Sequence, residues 1–270
     1  MAQQMGRQSL QFENPPWIIS SGCIAGTKEG EGPIGHEIDL IGEDDNFGCD
    51  IWEEAESTLQ KEALTLALGK ADQKPEDMRY LFAGDLLGQL IASSFGLKTF
   101  EIPLFGLYGA CSTCGEALAL SAMTVAAGYA DRVAAVTSSH FASAEKQFRF
   151  PLEYANQRPV SATWTVTGGG AFILSKEAKQ PLAKVAGVTT GKIVDYGIKD
   201  SMNMGAVMAP AIARIEPYQG NGVFARLMVL HTIIGVRCFS HFSSQTIPSR
   251  MKRLYPLFRC FSSFFCQFYN

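Results

Sequence analysis

The chain has 270 residues, 47% hydrophobic and 18% charged, which is ordinary for a soluble globular protein and enough to bury one large core or two smaller ones. Its formal charge of -3 hides an asymmetry: residues 1–211 hold 16 Lys and Arg against 25 Asp and Glu (-9), whereas residues 212–270 hold 7 against the single acid Glu216 (+6). The acidic first part argues against nucleic-acid binding, the polar start MAQQMGRQSLQFENPP has no apolar run of signal-peptide length, and seven irregularly spaced cysteines read as reduced thiols in a cytosolic compartment.

In chain order, Trp17–Ile24 is apolar and β-rich after Pro15-Pro16 and predicts a strand. Residues 26–50 read as a long Gly- and acid-rich loop. Ala55, Leu59, Ala63, Leu66 and Ala67 recur at helical spacing, so Ile51–Lys70 predicts a helix stopping near Gly69. Tyr80–Ala83 predicts a strand, Asp85–Gly96 a helix, and Phe100–Tyr108 a strand made irregular by Pro103. Thr113–Ala127 is rich in Ala, Leu and Met, apolar nearly all round and followed by Gly128, which predicts a buried central helix. Arg132–Thr137 predicts a buried strand, Thr163–Leu174 a strand, glycine turn and strand, and Val185–Ile198 further strand. Repeated β-α-β units predict that residues 15–200 form a five-stranded, mostly parallel sheet with that helix buried against it.

Cys111 stands where a strand gives way to the buried helix. Partial positive charge and free N–H groups at a helix N-terminus suit a thiolate nucleophile or a bound anion equally, and a buried structural cysteine is the plainer reading. Cys111 and Cys114 form a C-x-x-C pair whose Ser-Thr spacer and lack of a nearby His speak against redox or zinc chemistry. The acidic stretch Glu29–Asp50 does not fit an EF-hand, since Phe47 precedes Gly48 where a ligand is required, so a solvated loop is the better reading. No metal set and no cofactor motif is present.

The strings GACSTCGEALAL and TVTGGGAFIL resemble the two signatures of the thiolase and ketoacyl-synthase superfamily: a cysteine entering a buried helix, and a glycine-rich turn before an apolar strand. Many of those enzymes carry an Asp in that turn, where Gly169 stands here. A narrower resemblance is to the stage V sporulation protein AD family of endospore-forming bacteria. It rests on GCIAGTKEGEGPIG (22–35), WEEAES (52–57), AGDLLGQ (83–89), FGLYGACSTCGEAL (105–118), TSSHFASAEKQFRFPLEYANQRP (137–159) and TWTVTGGGAFIL (163–174), with Tyr154-Ala155 before Asn156 where Tyr-Gly is expected. The resemblance implies a thiolase-like α/β fold and a non-enzymatic role: binding dipicolinic acid and aiding its uptake into the developing spore. It implies work alongside the other stage V sporulation A proteins at the inner spore membrane, from a cytoplasmic, peripheral position, with a homodimer as a further candidate assembly.

A flat aromatic dianion calls for N–H groups, hydroxyls or cations at its carboxylates. The candidates are Cys111 and Ser112 at the helix start and Ser138, Ser139 and His140 at the end of the next strand, where ligands of parallel sheets sit. Lys146, Arg149 and Arg158 are the nearest cations in sequence. His140 reads equally as a satisfied structural histidine, and Ser138 and Ser139 as capping or turn residues. The alternative function is an acyltransferase using Cys111, but His231 and His241 lie in no recognisable superfamily motif, and a thiol without its partner is a weak nucleophile.

The expected organisation is a thiolase-like N-terminal half over 1–200, the start of a second half over 201–211, and an atypical tail over 212–270. The tail has no Asp and eight Phe, and its apolar uncharged run, 227–236, is shorter than the ~20 residues of a membrane span. It reads as out-of-frame translation that leaves the second half largely missing, ahead of a basic aromatic membrane-surface anchor or a divergent natural ending. No second sheet is expected.

Overall fold

The computed structural model describes residues 3–148, 165–191, 193, 195–199 and 227–229. In chain order the elements are β1 (Gln3–Met5), β2 (Ser9–Gln11), β3 (Trp17–Ala25), α1 (Thr27–Gly30), β4 (Leu40–Ile41), α2 (Trp52–Ala71), β5 (Tyr80–Asp85), α3 (Ile91–Leu97), β6 (Leu104–Gly106), α4 (Thr113–Ala126), β7 (Arg132–Ser139), α5 (Phe141–Phe148), β8 (Gly168–Ser175), β9 (Ala183–Lys184), β10 (Gly187–Thr190) and β11 (Leu227–Val229). A one-turn 3-10 helix, Ala110–Ser112, leads into α4.

The main sheet has the order β4-β3-β8-β7-β5-β6, with β9 also beside β3. β7 runs parallel to β5 from Tyr80↔Val133 to Asp85↔Ser138, and β5 parallel to β6. β8 runs antiparallel to both β3 and β7. The α/β class and the buried helix are as expected. The five-stranded count corresponds to β3, β8, β7, β5 and β6, and the two-residue strands β4 and β9 raise it to seven, with β8 and β9 reversed in an otherwise parallel set.

Strand alternation sorts the core into two layers. On one face Val133, Ala135, Phe172 and Leu174 pack with Cys114, Ala117, Leu118 and Ala122 of α4. On the other, Ile24, Ala134, Val136, Ala171 and Ile173 pack with Leu59, Ala63, Leu64 and Ala67 of α2. Leu59, Leu64 and Leu118 are fully buried, each contributing roughly 2 kcal/mol of transfer free energy relative to exposure.

Several elements depart from the sequence reading. The glycines of TVTGGGAFIL are not a turn: Gly168, Gly169 and Gly170 lie inside β8. Gly169 is small because α2 crosses directly above it. A Cβ on Gly169 would stand 2.7 Å from the Leu59 carbonyl oxygen, and one on Gly22 of β3 would collide with the Ala63 carbonyl. The second helix begins at Ile91 and not at Asp85, since Asp85 Oδ1 and Oδ2 take the N–H groups of Gly88 (3.0 Å) and Ser93 (2.9 Å) and bend the intervening chain. In that bend Gln89 and Leu90 adopt φ of +53° and +59°. The strand expected over Phe100–Tyr108 shrinks to β6. α2 runs past Gly69 to Ala71 and ends on left-handed Asp72.

The 26–50 segment is more structured than a solvated loop. Asp39 accepts the Cys23 N–H at 2.9 Å and pairs with Lys70 at 2.5 Å. Asp45 accepts both the N–H and hydroxyl of Thr27. A second, four-stranded sheet, β1-β2-β10-β11, is also present. It corrects the expectation of none, and β11, from within the tail, pairs parallel with β10. The rest of the tail and the 201–211 segment lie outside the described residues.

Candidate functional site

The carboxyl ends of β5, β6 and β7 converge on two polar groupings, one on each face of the sheet. On the α4 face, the chain leaves β6 and turns through Gly109 and Ala110 into the helix. Four hydrogen bonds hold this elbow. Ser112 donates its N–H (2.8 Å) and its hydroxyl (2.7 Å) to the Gly109 carbonyl; the Thr113 hydroxyl donates to Ala110 O (2.8 Å) and accepts from Gly109 N–H (3.1 Å). Ala110 adopts φ +48°, a left-handed conformation that costs a non-glycine residue about 1–2 kcal/mol. Cys111 is the middle residue of the 3-10 turn; its side chain lies outside what the structure describes.

One turn further, Cys114 is buried behind the elbow. Burial pushes its thiol up to about 12, against a small opposing effect of the Thr137 hydroxyl. Such a thiol stays protonated and inert at neutral pH, which removes half of the C-x-x-C pair as a redox device.

On the α2 face lies a buried polar network that the sequence reading missed. Glu56 of α2 accepts the Ser138 hydroxyl at Oε1 (3.0 Å) and the Ser143 hydroxyl at Oε2 (2.5 Å). Gln60 Nε2, one turn along, reaches Ser138 Oγ (2.9 Å), Ser93 Oγ (3.0 Å) and Gly84 O (3.0 Å). The Ser93 hydroxyl donates to Asp85 Oδ2 at 2.6 Å. Glu56, Gln60, Asp85, Ser93, Ser138 and Ser143 are all at most 4% exposed. Burial lifts the Glu56 carboxyl to about 7, and the nearby Asp85 adds to the rise; the Ser143, Ser138 and Leu86 N–H bonds hold it down. The available signal was the i, i+4 pair Glu56 and Gln60 on the same helix as the core positions Ala55, Leu59 and Ala63.

The candidate ligand residues are divided between these faces. Ser112 belongs to the elbow. Ser138 points to α2, because β7 alternates and its neighbour Thr137 takes the Cys114 side. The Ser139 hydroxyl donates to Val166 O at 2.6 Å. His140 is fully buried, 5.2 Å from Trp52 and 5.1 Å from Phe141 between ring centroids. Its Nδ1 accepts the Ala142 N–H (3.2 Å), so Nε2 carries the proton and donates to Asp45 O (2.8 Å). That is the satisfied structural histidine of the plainer reading. Lys146 lies on α5 with its side chain outside the description, and Arg149 and Arg158 lie outside the described residues.

Beside His140, Glu29 Oε1 accepts the Thr167 N–H at 3.0 Å. Partial burial raises this carboxyl above its ordinary range, and Asp45 adds to the effect. Among the described residues no group of three or more His, Cys, Asp and Glu could hold a metal ion.

The structure thus defines an α/β protein with a mixed sheet between two helical layers, its polar groups gathered where the strands end. The stage V sporulation protein AD family profile matches residues 6–218, and the chain belongs to that family. It is 40% identical over 208 residues to stage V sporulation protein AD of Bacillus subtilis (strain 168), covering 77% of this chain and 61% of that protein's length. Solved structures similar to it include the 3-oxoacyl-[acyl-carrier-protein] synthase III of Aquifex aeolicus (17% identity, 61% of this chain and 55% of that one, TM-score 0.40). Another is the corresponding synthase of Xanthomonas oryzae (14%, 61% and 57%, TM-score 0.42).

Proposed function

We propose that the chain is a non-enzymatic ligand-binding protein that holds dipicolinic acid and aids its uptake into the developing spore. Membership of a sporulation family carries this reading. The elbow at the start of α4 supports it, since first-turn N–H groups of a helix favour a carboxylate, and Tyr108, half exposed just before the elbow, offers an aromatic surface. The protein would act with the other stage V sporulation A proteins, peripherally at the inner spore membrane; among the described residues no helix is long and apolar enough to cross a membrane. Self-association would use β6, an edge strand among the described residues whose Leu104 and Phe105 are exposed, as an edge can pair with another chain.

The second reading, acyl transfer by Cys111, is favoured by one observation. A left-handed residue directly before the cysteine at a strand-to-helix elbow is a way to present a nucleophile. Against it, both ring nitrogens of His140 are engaged, and His36 lies at the surface beside Glu37.

Calorimetric titration of the purified chain with dipicolinate decides. Saturable binding that weakens at least about tenfold (1.4 kcal/mol) on Cys111→Phe is expected. No binding would sink the proposal, and Cys111-dependent turnover of an acyl-CoA would promote the alternative.

A further inference from the structure

We infer that α5 is a strap fastened to the body by the Glu56 carboxyl, and that the proton on this carboxyl sets how firmly the strap is held. β7 ends at Ser139, and the chain turns through His140 into α5, which crosses the start of α2. Polar contacts hold the turn and helix down. Ser143 Oγ meets Glu56 Oε2 at 2.5 Å, Phe141 N–H donates to Thr167 Oγ1 at 3.1 Å, and His140 Nε2 donates to Asp45 O at 2.8 Å. Trp52, one turn before Glu56, packs against both His140 and Phe141.

The Ser143 contact involves a carboxyl that burial lifts to about 7. The groups around Glu56 are few. β5 contributes Asp85; the turn into α5 carries His140, held in one neutral tautomer by its two bonds; β7 and α3 present Ser138 and Ser93, and α2 itself adds Gln60. Among the described residues no cation lies with them; the side chains of Glu145 and Lys146 on α5 lie outside the description.

A carboxylate here is disfavoured by burial and by Asp85. A protonated Glu56 keeps every contact: its O–H donates to Ser143 Oγ, whose hydroxyl then turns to His140 O, 3.3 Å away. Lifting α5 admits water to Glu56 and returns it towards ordinary carboxyl behaviour. The closed strap therefore holds the proton more tightly than the open one, and opening becomes easier as the proton leaves. The inference is independent of which ligand the protein binds.

The test is amide hydrogen exchange, corrected for the intrinsic rate, at pH 5 and pH 8. The Phe141–Phe148 amides are followed, with those of α4 as internal reference. In the unaltered protein, protection of α5 should fall by up to roughly a hundredfold at pH 8, well beyond any change in α4. Glu56→Gln should abolish the difference. Ser143→Ala should weaken protection at both pH values and leave a pH difference at least as large, since burial raises the Glu56 carboxyl and the Ser143 bond holds it down; this decides the matter if Glu56→Gln does not fold. Equal protection of α5 at both pH values, a parallel change in α4, an undiminished difference in Glu56→Gln, or a difference lost in Ser143→Ala would overturn the inference.

Discussion

Gly169 of β8 lies so close beneath Leu59 of α2 that an added Cβ would stand 2.7 Å from the Leu59 carbonyl oxygen and 3.2 Å from its Cβ. The neighbouring strand repeats the relationship with Gly22 under Ala63. Both contacts are to helix backbone, which cannot swing aside as a side chain can. Gly169→Ala should therefore lower the unfolding free energy by about 1–3 kcal/mol, the usual cost of overpacking, read as a lower urea midpoint at unchanged m-value. A variant as stable as the parent would show that α2 does not need this approach.

That pair also shows where sequence reading succeeded and failed. The helices α2 and α4 were legible because apolar residues recur at helical spacing, and β3, β5 and β7 because short β-rich runs are bounded by turn residues. The glycines of β8 were misread as a turn because their local preference is for turns; only the helix packed above them, distant in sequence, makes them strand residues. Asp85 resembles a helix start for a similar local reason. It captures the N–H groups of Gly88 and Ser93, and that bend is invisible in the apolar spacing. At the candidate site the elbow was legible from Gly109-Ala110-Cys111. The division of Ser112 from Ser138 was not, because it depends on which way β7 presents alternate residues. Glu56 and Gln60 escaped notice because a buried carboxyl is recognisable only once Ser138, Ser143 and Asp85, from three other segments, surround it.

Glu56 makes stability depend on pH in a defined direction. Its folded carboxyl titrates at about 7, above the ordinary 4.5, so the folded state binds the proton more tightly than the unfolded chain. The stability this supplies is complete below pH 4.5 and fades as pH rises towards 7. The loss amounts to about 3 kcal/mol. Denaturation series at pH 4.5, 6 and 7.5 should show this decline in the parent and a flatter profile in Glu56→Gln. A parent whose stability rises across the interval by more than its other carboxyls explain, with Glu56→Gln behaving identically, would rule the assignment out.

Cys114 should behave as a core residue. With its thiol pushed up to about 12 from an ordinary 9.0 by burial, it should resist iodoacetamide at pH 8 in the folded protein and react fully in urea, as read by peptide mass. Below pH 9 its titration should leave stability unchanged, since the thiol is protonated in both states. Mild oxidants should yield no disulfide between Cys111 and Cys114. Rapid labelling of folded Cys114, or a recovered disulfide, would restore the redox reading.

Ala110 offers the sharpest test of the elbow. At φ +48° its backbone sits where glycine is comfortable, alanine is strained and a β-branched side chain is a severe outlier. Thr113 and Ser112 hold the turn by bonding Ala110 O and Gly109 O, so relaxing Ala110 would have to break those bonds. Ala110→Gly should therefore leave the fold intact, because the relief of strain offsets the extra freedom of the unfolded chain. Ala110→Val should cost about 1–3 kcal/mol of stability and redirect the first N–H groups of α4. If those groups receive a carboxylate of the ligand, Ala110→Val should weaken dipicolinate binding by at least about tenfold (1.4 kcal/mol), and Ala110→Gly should bind like the parent. A folded Ala110→Val protein with undiminished affinity would remove the elbow from the binding site and leave the α2 face as the place to look.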